Sequence, residues 1–247
     1  MTRSHIALVS ALVACFALSA CSTDKAPQAP APPSHAGKPS GGARGGAGGA
    51  TGEPQPFKDD SDVPLAKQLR LSDFTLAVPD AGDVVPGYYP GSLHKSMPGE
   101  ADDCAPSDGP ASPGWQRSVR GDYDYQGSTV SRGIDLDVCQ FDTVAHAKAA
   151  YDRMPDRSET APPVEAPTPV GEESLFLQHT GSSGTVYGYT RSGTVVARVE
   201  VEDASGDATD ARHVLAATIK RLQQVQAGRP PTATAVEIAD LDRARRR

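Results

Sequence analysis

The sequence predicts an α+β fold: an antiparallel sheet with helices packed on it as an α/β/α sandwich, placed after a long disordered tether. Three observations predict it. Residues 194–201 alternate, with Val195, Ala197, Val199 and Val201 against Thr194, Val196, Arg198 and Glu200, the period of two of a strand. Glycine-rich breaks at Gln126-Gly127, 181–184 and Arg191-Ser192-Gly193 separate runs of strand-forming residues, as hairpin turns do. Residues 207–225 carry Ala211, Leu215, Thr218, Leu222 and Val225 on one helical stripe, the pattern of a helix lying on a core.

The remaining elements follow in order. A short helix is expected over 63–74, with Leu65, Leu69 and Phe74 on one side, then a turn at 84–87 into extended chain at Tyr88 and Tyr89. Residues 92–114 are rich in Gly, Pro, Ser and Asp and read as loop. Strands are expected over 116–125 and 128–139. Asp142 or Thr143 then caps a helix with Val144, Ala147, Tyr151 and Met154 on one face. A proline-rich loop at 157–171 leads to three strands, 173–179, 185–190 and 194–201, and the closing helix.

Composition bounds the rest. In 247 residues there are 24 Gly and 22 Pro but only 5% aromatics, which implies a long unstructured portion beside a modest core. The formal charge of −7 argues against nucleic acid as a partner, since phosphate binding needs a basic surface. The first twenty residues have a short basic start at Arg3 and an apolar run over 6–18, too short for a span, which needs ~20 apolar residues. Leu18-Ser19-Ala20-Cys21 follows and resembles the lipobox of bacterial lipoproteins. That resemblance implies diacylglyceryl transfer to the Cys21 thiol and cleavage before it, so that lipid chains anchor the chain in a membrane.

Fifteen of the 35 residues in 22–56 are Gly or Pro, and none is aromatic. Such a segment cannot bury enough apolar surface to offset its ordering entropy. As a flexible coil its ends sit ~30–35 Å apart. The expected division is therefore a signal peptide at 1–20, the lipidated Cys21 and tether at 21–58, an extracytoplasmic α+β domain at 59–227 and a basic C-terminal tail at 228–247. The last five residues hold four arginines, expected to be solvated and frayed, or to touch anionic headgroups.

Cys104 and Cys139 remain in the folded part, and an even pair in an exported chain reads as a disulfide. Catalytic signatures are missing from the sequence: there is no GxSxG, HExxH, P-loop or dinucleotide fingerprint. His94, His146, His179 and His213 stand singly, and no cofactor or metal is expected. Arg120-Gly121-Asp122 is an adhesion-type tripeptide inside an expected strand and carries no weight. Asp122 with Asp124, and Asp135 with Asp137, share strand faces, so pairing of the two strands would gather carboxylates. They would hold Ca²⁺, act as a glycosidase pair, or form a solvated sheet face. The aromatic residues Tyr123, Tyr125, Tyr187, Tyr189 and Trp115 suggest a ligand groove, against the alternative that they pack the sheet on its helices.

Several segments recur in a familiar order: LAKQLRLSDFTLAVPDAGDVVPGYYP, IDLDVCQFDTVAHAKAAYDRM, PVGEESLFLQ, GTVVARVEVED and ARHVLAATIKRLQ. Together they resemble actinobacterial envelope lipoproteins related to the extracytoplasmic sensor-type domains of serine/threonine kinases, with a Mog1/PsbP-like α/β/α fold. The resemblance supplies no catalytic residue. It implies a lipid-anchored, non-catalytic binding or sensor module on the extracytoplasmic face of the cell membrane, with a cell-envelope ligand or protein as partner. The alternatives are a cell-wall hydrolase using the paired carboxylates and a structural accessory subunit of an envelope complex.

Overall fold

The structure, a computed structural model, describes residues 63–80, 83–98, 100, 104–105, 111–125, 132–155, 163–166, 168–179 and 184–247. The signal peptide, Cys21, the tether and the turn at Gln126-Gly127 lie outside the described residues, as does most of the turn at 181–184. Among the described residues no helix is long and apolar enough to cross a membrane.

The elements run α1 (Leu71–Ala77), β1 (Tyr88–Ser96), β2 (Trp115–Tyr125), β3 (Gly133–Phe141), α2 (Val144–Arg153), β4 (Glu173–Gln178), β5 (Val186–Ser192), β6 (Val195–Val201), α3 (Thr209–Gln226) and α4 (Ala235–Arg245). The strands form one antiparallel sheet in the order β1-β2-β3-β6-β5-β4. Two three-strand meanders, β1-β2-β3 and β4-β5-β6, thus meet along β3 and β6, where Ile134 faces Val201 and Gln140 faces Val195.

Alternation along β3 divides the core in two. Ile134, Leu136 and Val138 join Phe74, Val119, Val199, Val214, Leu215 and Leu222 in the layer under α1 and α3. Cys139 and Phe141 point the other way, into a cluster with Trp115, Ala147, Ala150, Tyr151, Met154, Tyr189 and Val196 under α2. Helices therefore cover both faces, as an α+β sandwich requires. The Cys104–Cys139 disulfide belongs to the α2 layer, with Cα atoms 6.3 Å apart.

Three elements differ from expectation. The helix expected over 63–74 begins only at Leu71, because the chain before it bonds to side chains elsewhere. Gln140, fully buried, accepts from Leu69 N at 3.1 Å and donates to Lys67 O at 3.0 Å, while Thr194 N donates to Leu65 O at 2.9 Å. With those groups satisfied the segment stays extended. The second difference is β1, which carries the extended chain expected at Tyr88 and Tyr89 on through Ser96, into residues expected to be loop; it is exposed on nearly every residue and has a bulge between Pro90 and Leu93.

The third is α4. Residues 235–245 are a helix and not a frayed tail, opened by a capping box in which Thr234 and Glu237 satisfy each other's backbone N–H groups. Asp242 ties it to α3 by accepting from Arg212 and facing His213 Nε2 at 3.2 Å. With α4 on one side and α1 on the other, α3 is buried nearly all round, its polar residues included. Arg221 is bonded to the Ala77, Leu76 and Ala233 carbonyls at 3.0, 3.1 and 3.3 Å, which satisfies groups at the end of α1 that have no intrahelical partner. Arg243, Arg245, Arg246 and Arg247 remain exposed.

Candidate functional site

On the α2 side of the sheet a row of charged side chains crosses four strands. Register sets it: Arg120 faces Asp137 and Asp122 faces Asp135 across β2 and β3. Asp135 in turn faces Glu200, and Asp137 faces Arg198, across β3 and β6. Glu200 faces Tyr187 and Arg198 faces Tyr189 on β5. From β1, His94 lies opposite Arg120. Charged residues from four strands thus share one face because register places them opposite one another.

Arg120 holds the row together. Its Nε lies 3.0 Å from Asp122 Oδ1 and its Nη2 lies 2.8 Å from Asp135 Oδ2. Ser92 donates its hydroxyl to Asp122 and lies 3.0 Å from His94 Nε2; that nitrogen is 3.8 Å from Asp122 Oδ2. The two carboxyls then part in character. Burial pushes Asp135 up to about 6, with Arg120 opposing and Asp122 and Glu200 adding to the shift. Burial also acts against the charge on Asp122, but the hydrogen bonds from Ser92 and Arg120 outweigh it and hold this carboxyl below the usual carboxylate range. Of the two, Asp135 therefore keeps its proton to higher pH.

Asp137 sits deeper. Its side chain is fully buried, and Arg198 Nε donates to its Oδ2 at 3.0 Å. At the row's far end Tyr187 donates its hydroxyl to Glu200 Oε1 at 3.2 Å and stands edge-on to His179, with ring centroids 6.0 Å apart.

The structure thus brings together Asp122 and Asp135 of the four predicted carboxylates, places Asp137 beside them under Arg198, and leaves Asp124 exposed at the end of the strand. The guanidinium groups occupy the spaces where a cation would sit. Among the described residues no three His, Cys, Asp or Glu side chains are grouped to hold a metal ion. Glycosidase carboxyls stand ~5–5.5 Å apart, or ~6.5–9.5 Å, on either side of the bond they cleave; Asp122 and Asp135 are instead bridged by the Arg120 guanidinium.

The predicted aromatic groove divides between the two faces. Tyr187, Tyr189 and Trp115 are on the α2 side, and Tyr189 and Trp115 are buried in its core. Tyr123 and Tyr125 are on the α1/α3 side, because their parity on β2 matches Val119 and not Asp122. Tyr123 is buried, donates its hydroxyl to Pro79 O at 2.7 Å, and is pushed up by that burial. Tyr125 stands edge-on to Tyr88, centroids 5.3 Å apart, with the Arg132 guanidinium 5.6 Å from its ring centroid. Of the five, Tyr187 alone adjoins the charged row with surface open to solvent.

Sequence reasoning missed Ser92, His94, Arg120, Arg198 and Glu200 as members of the row. Arg120 and Asp122, two apart on one strand, and Arg198 and Glu200 on another, are legible as facing pairs once the strands are aligned. Ser92 and His94 lie on β1, which has no clear alternation.

No family model matches the chain, and no curated protein matches it. Among solved structures it is similar to the extracellular domain of PknH from Mycobacterium tuberculosis, at 12% identity and a TM-score of 0.46, over 64% of this chain and 98% of that one.

Proposed function

We propose that this chain is a lipid-anchored extracytoplasmic protein whose folded domain is a non-catalytic binding module for a cell-envelope ligand. The ligand lies across the charged row at Ser92, His94, Arg120, Asp122, Asp135, Glu200 and Tyr187. The observation that carries the reading is Arg120 bridging Asp122 and Asp135. A carboxyl pair held by a shared guanidinium is fixed as a pattern of donors and acceptors; it is not poised on two sides of a scissile bond.

Alternating donors and acceptors on a rigid sheet, with a tyrosine ring at one end, suit a polyhydroxylated ligand such as an envelope glycan. The extracytoplasmic placement is supported by the lipobox at Leu18–Cys21 and by the Cys104–Cys139 disulfide, which persists in oxidising compartments. Phase partition of the wild-type chain and of Cys21→Ser tests the anchor: the variant should leave the membrane fraction.

The test of the site is calorimetric titration with solubilised envelope oligosaccharides. Binding should fall about tenfold or more in Arg120→Ala and in Glu200→Ala, with no oligosaccharide cleaved. Unchanged binding in both variants removes the site. Cleavage that disappears in Asp122→Asn would replace this reading with the hydrolase.

A further inference from the structure

A second site lies on the opposite side of the molecule, away from the charged row. Between α3, α4 and the turn before β1 there is a cleft of about 350 Å³, within the ~300–1,000 Å³ range of small-molecule sites. Its apolar lining comes from Val84 and Pro86 in the turn and from Val236 and Ala239 in α4. Its charged lining includes Asp210 from the first turn of α3, Arg243 from the last turn of α4 and Arg246 just after it.

The charged groups are not equivalent. Asp242 also lines the cleft, but its carboxylate is committed to Arg212 and His213. Arg243 pairs at the helix surface with Asp240. Among the described residues the side chains of Asp210 and Arg246 make no hydrogen bond or ion pair. One half-buried carboxylate and one exposed guanidinium therefore share the cleft with an apolar wall.

We infer that this cleft binds a zwitterionic molecule with an apolar side group, of the class of apolar amino acids and short peptides with free termini, its ammonium on Asp210 and its carboxylate on Arg246. Charge complementarity selects the class. A simple anion would meet the arginines but bring a second negative charge to Asp210; a simple cation would reverse the conflict. A neutral apolar molecule would strip water from both charges and return nothing to either. Burial pushes the Asp210 carboxyl up, with His213 opposing and Asp207 adding, as befits a carboxylate whose cation is supplied by a ligand.

The test is calorimetric titration of the whole chain with the dipeptide leucyl-leucine, its N-acetyl form and its C-terminal amide. The free dipeptide should bind, and blocking either terminus should weaken it about tenfold or more. Asp210→Asn should weaken the free dipeptide to the level of the N-acetyl form while leaving the N-acetyl form unaffected. Arg246→Gln should do the same with respect to the amide; Arg246 is exposed, so this variant keeps the fold. Equal binding of all three forms overturns the inference. So does the absence of binding by the free dipeptide at millimolar concentration, or unaltered binding in Asp210→Asn and Arg246→Gln.

Discussion

Asp122 on β2 and Asp135 directly opposite it on β3 share the guanidinium of Arg120, which donates to both carboxyls. The pair has opposite linkage to pH. Asp135, raised from 3.8 to about 6, contributes stability that is full below its unfolded value and lost as pH rises through about 6. Asp122, held below 3.8, contributes stability that is full above 3.8 and lost as pH falls through its lowered value. Of this pair, only Asp135 acts from about pH 4 to about pH 6, and its titration lowers stability as pH rises. Asp135→Asn should flatten the melting temperature across that window. Carboxyl NMR of the wild type should show one resonance with a midpoint near 6, absent from the variant. A midpoint near 4 would break the assignment.

Asp137 and Arg198 form a deeper pair, the carboxylate fully buried and the guanidinium side chain 27% exposed. Removing one partner strands a charge in the interior, whereas removing both leaves an apolar contact. Arg198→Leu should destabilise the domain by ~3–5 kcal/mol in urea unfolding, toward the lower end because Arg120 also faces Asp137. The double variant Arg198→Leu/Asp137→Leu should recover most of the loss. A double variant no better than the single one would mean that the pair does more than neutralise its own charges.

How much of this was legible depends on where each residue's partners lie. The strands β2 to β6 and helices α2 and α3 were readable because their buried faces follow a period of two or 3.6, as in Val195, Ala197, Val199 and Val201. The disulfide was readable from cysteine number. The strand β1 was not, since Tyr-Tyr-Pro-Gly-Ser-Leu-His-Lys-Ser has a proline, a glycine and a bulge and buries almost nothing. The helix α4 buries only Ala235 and Asp242, so it shows no apolar stripe; Thr234 and Glu237 three apart were its one local signal. For the site, the acids of β2 and β3 could be paired from the sequence. The inference that Tyr123 and Tyr125 join Tyr187 and Tyr189 failed because face parity between distant strands is set by long-range register, which local spacing does not encode.

The docking of α4 on α3 rests on a polar contact more than on apolar area. Asp242 is buried between Arg212 and His213, and burial lowers the His213 imidazole despite the neighbouring carboxylate. Asp242→Ala leaves Arg212 buried without its carboxylate and should cost ~3 kcal/mol or more. Amide exchange should accelerate across 235–245 by more than it does in the strands. Uniform acceleration throughout the domain would mean that α4 is part of the global cooperative unit and does not open by itself.

The Cys104–Cys139 bond closes a loop of 35 residues and fixes the chain before β2 to the end of β3, beneath α2. In the chain-entropy account such a loop contributes ~3–4 kcal/mol, a large share of the ~5–15 kcal/mol of an ordinary domain. Cys104→Ala/Cys139→Ala should therefore lower the urea midpoint markedly, with the slope changing little or rising as the unfolded chain expands. Cys139 is completely buried among Phe141, Ala147 and Val196, so a single Cys139→Ala variant adds a packing loss to the lost cross-link. Cys104→Ala isolates the cross-link better, because the Cys139 thiol still fills its site. If Cys104→Ala unfolds at the wild-type urea concentration, the bond contributes no stability to the domain.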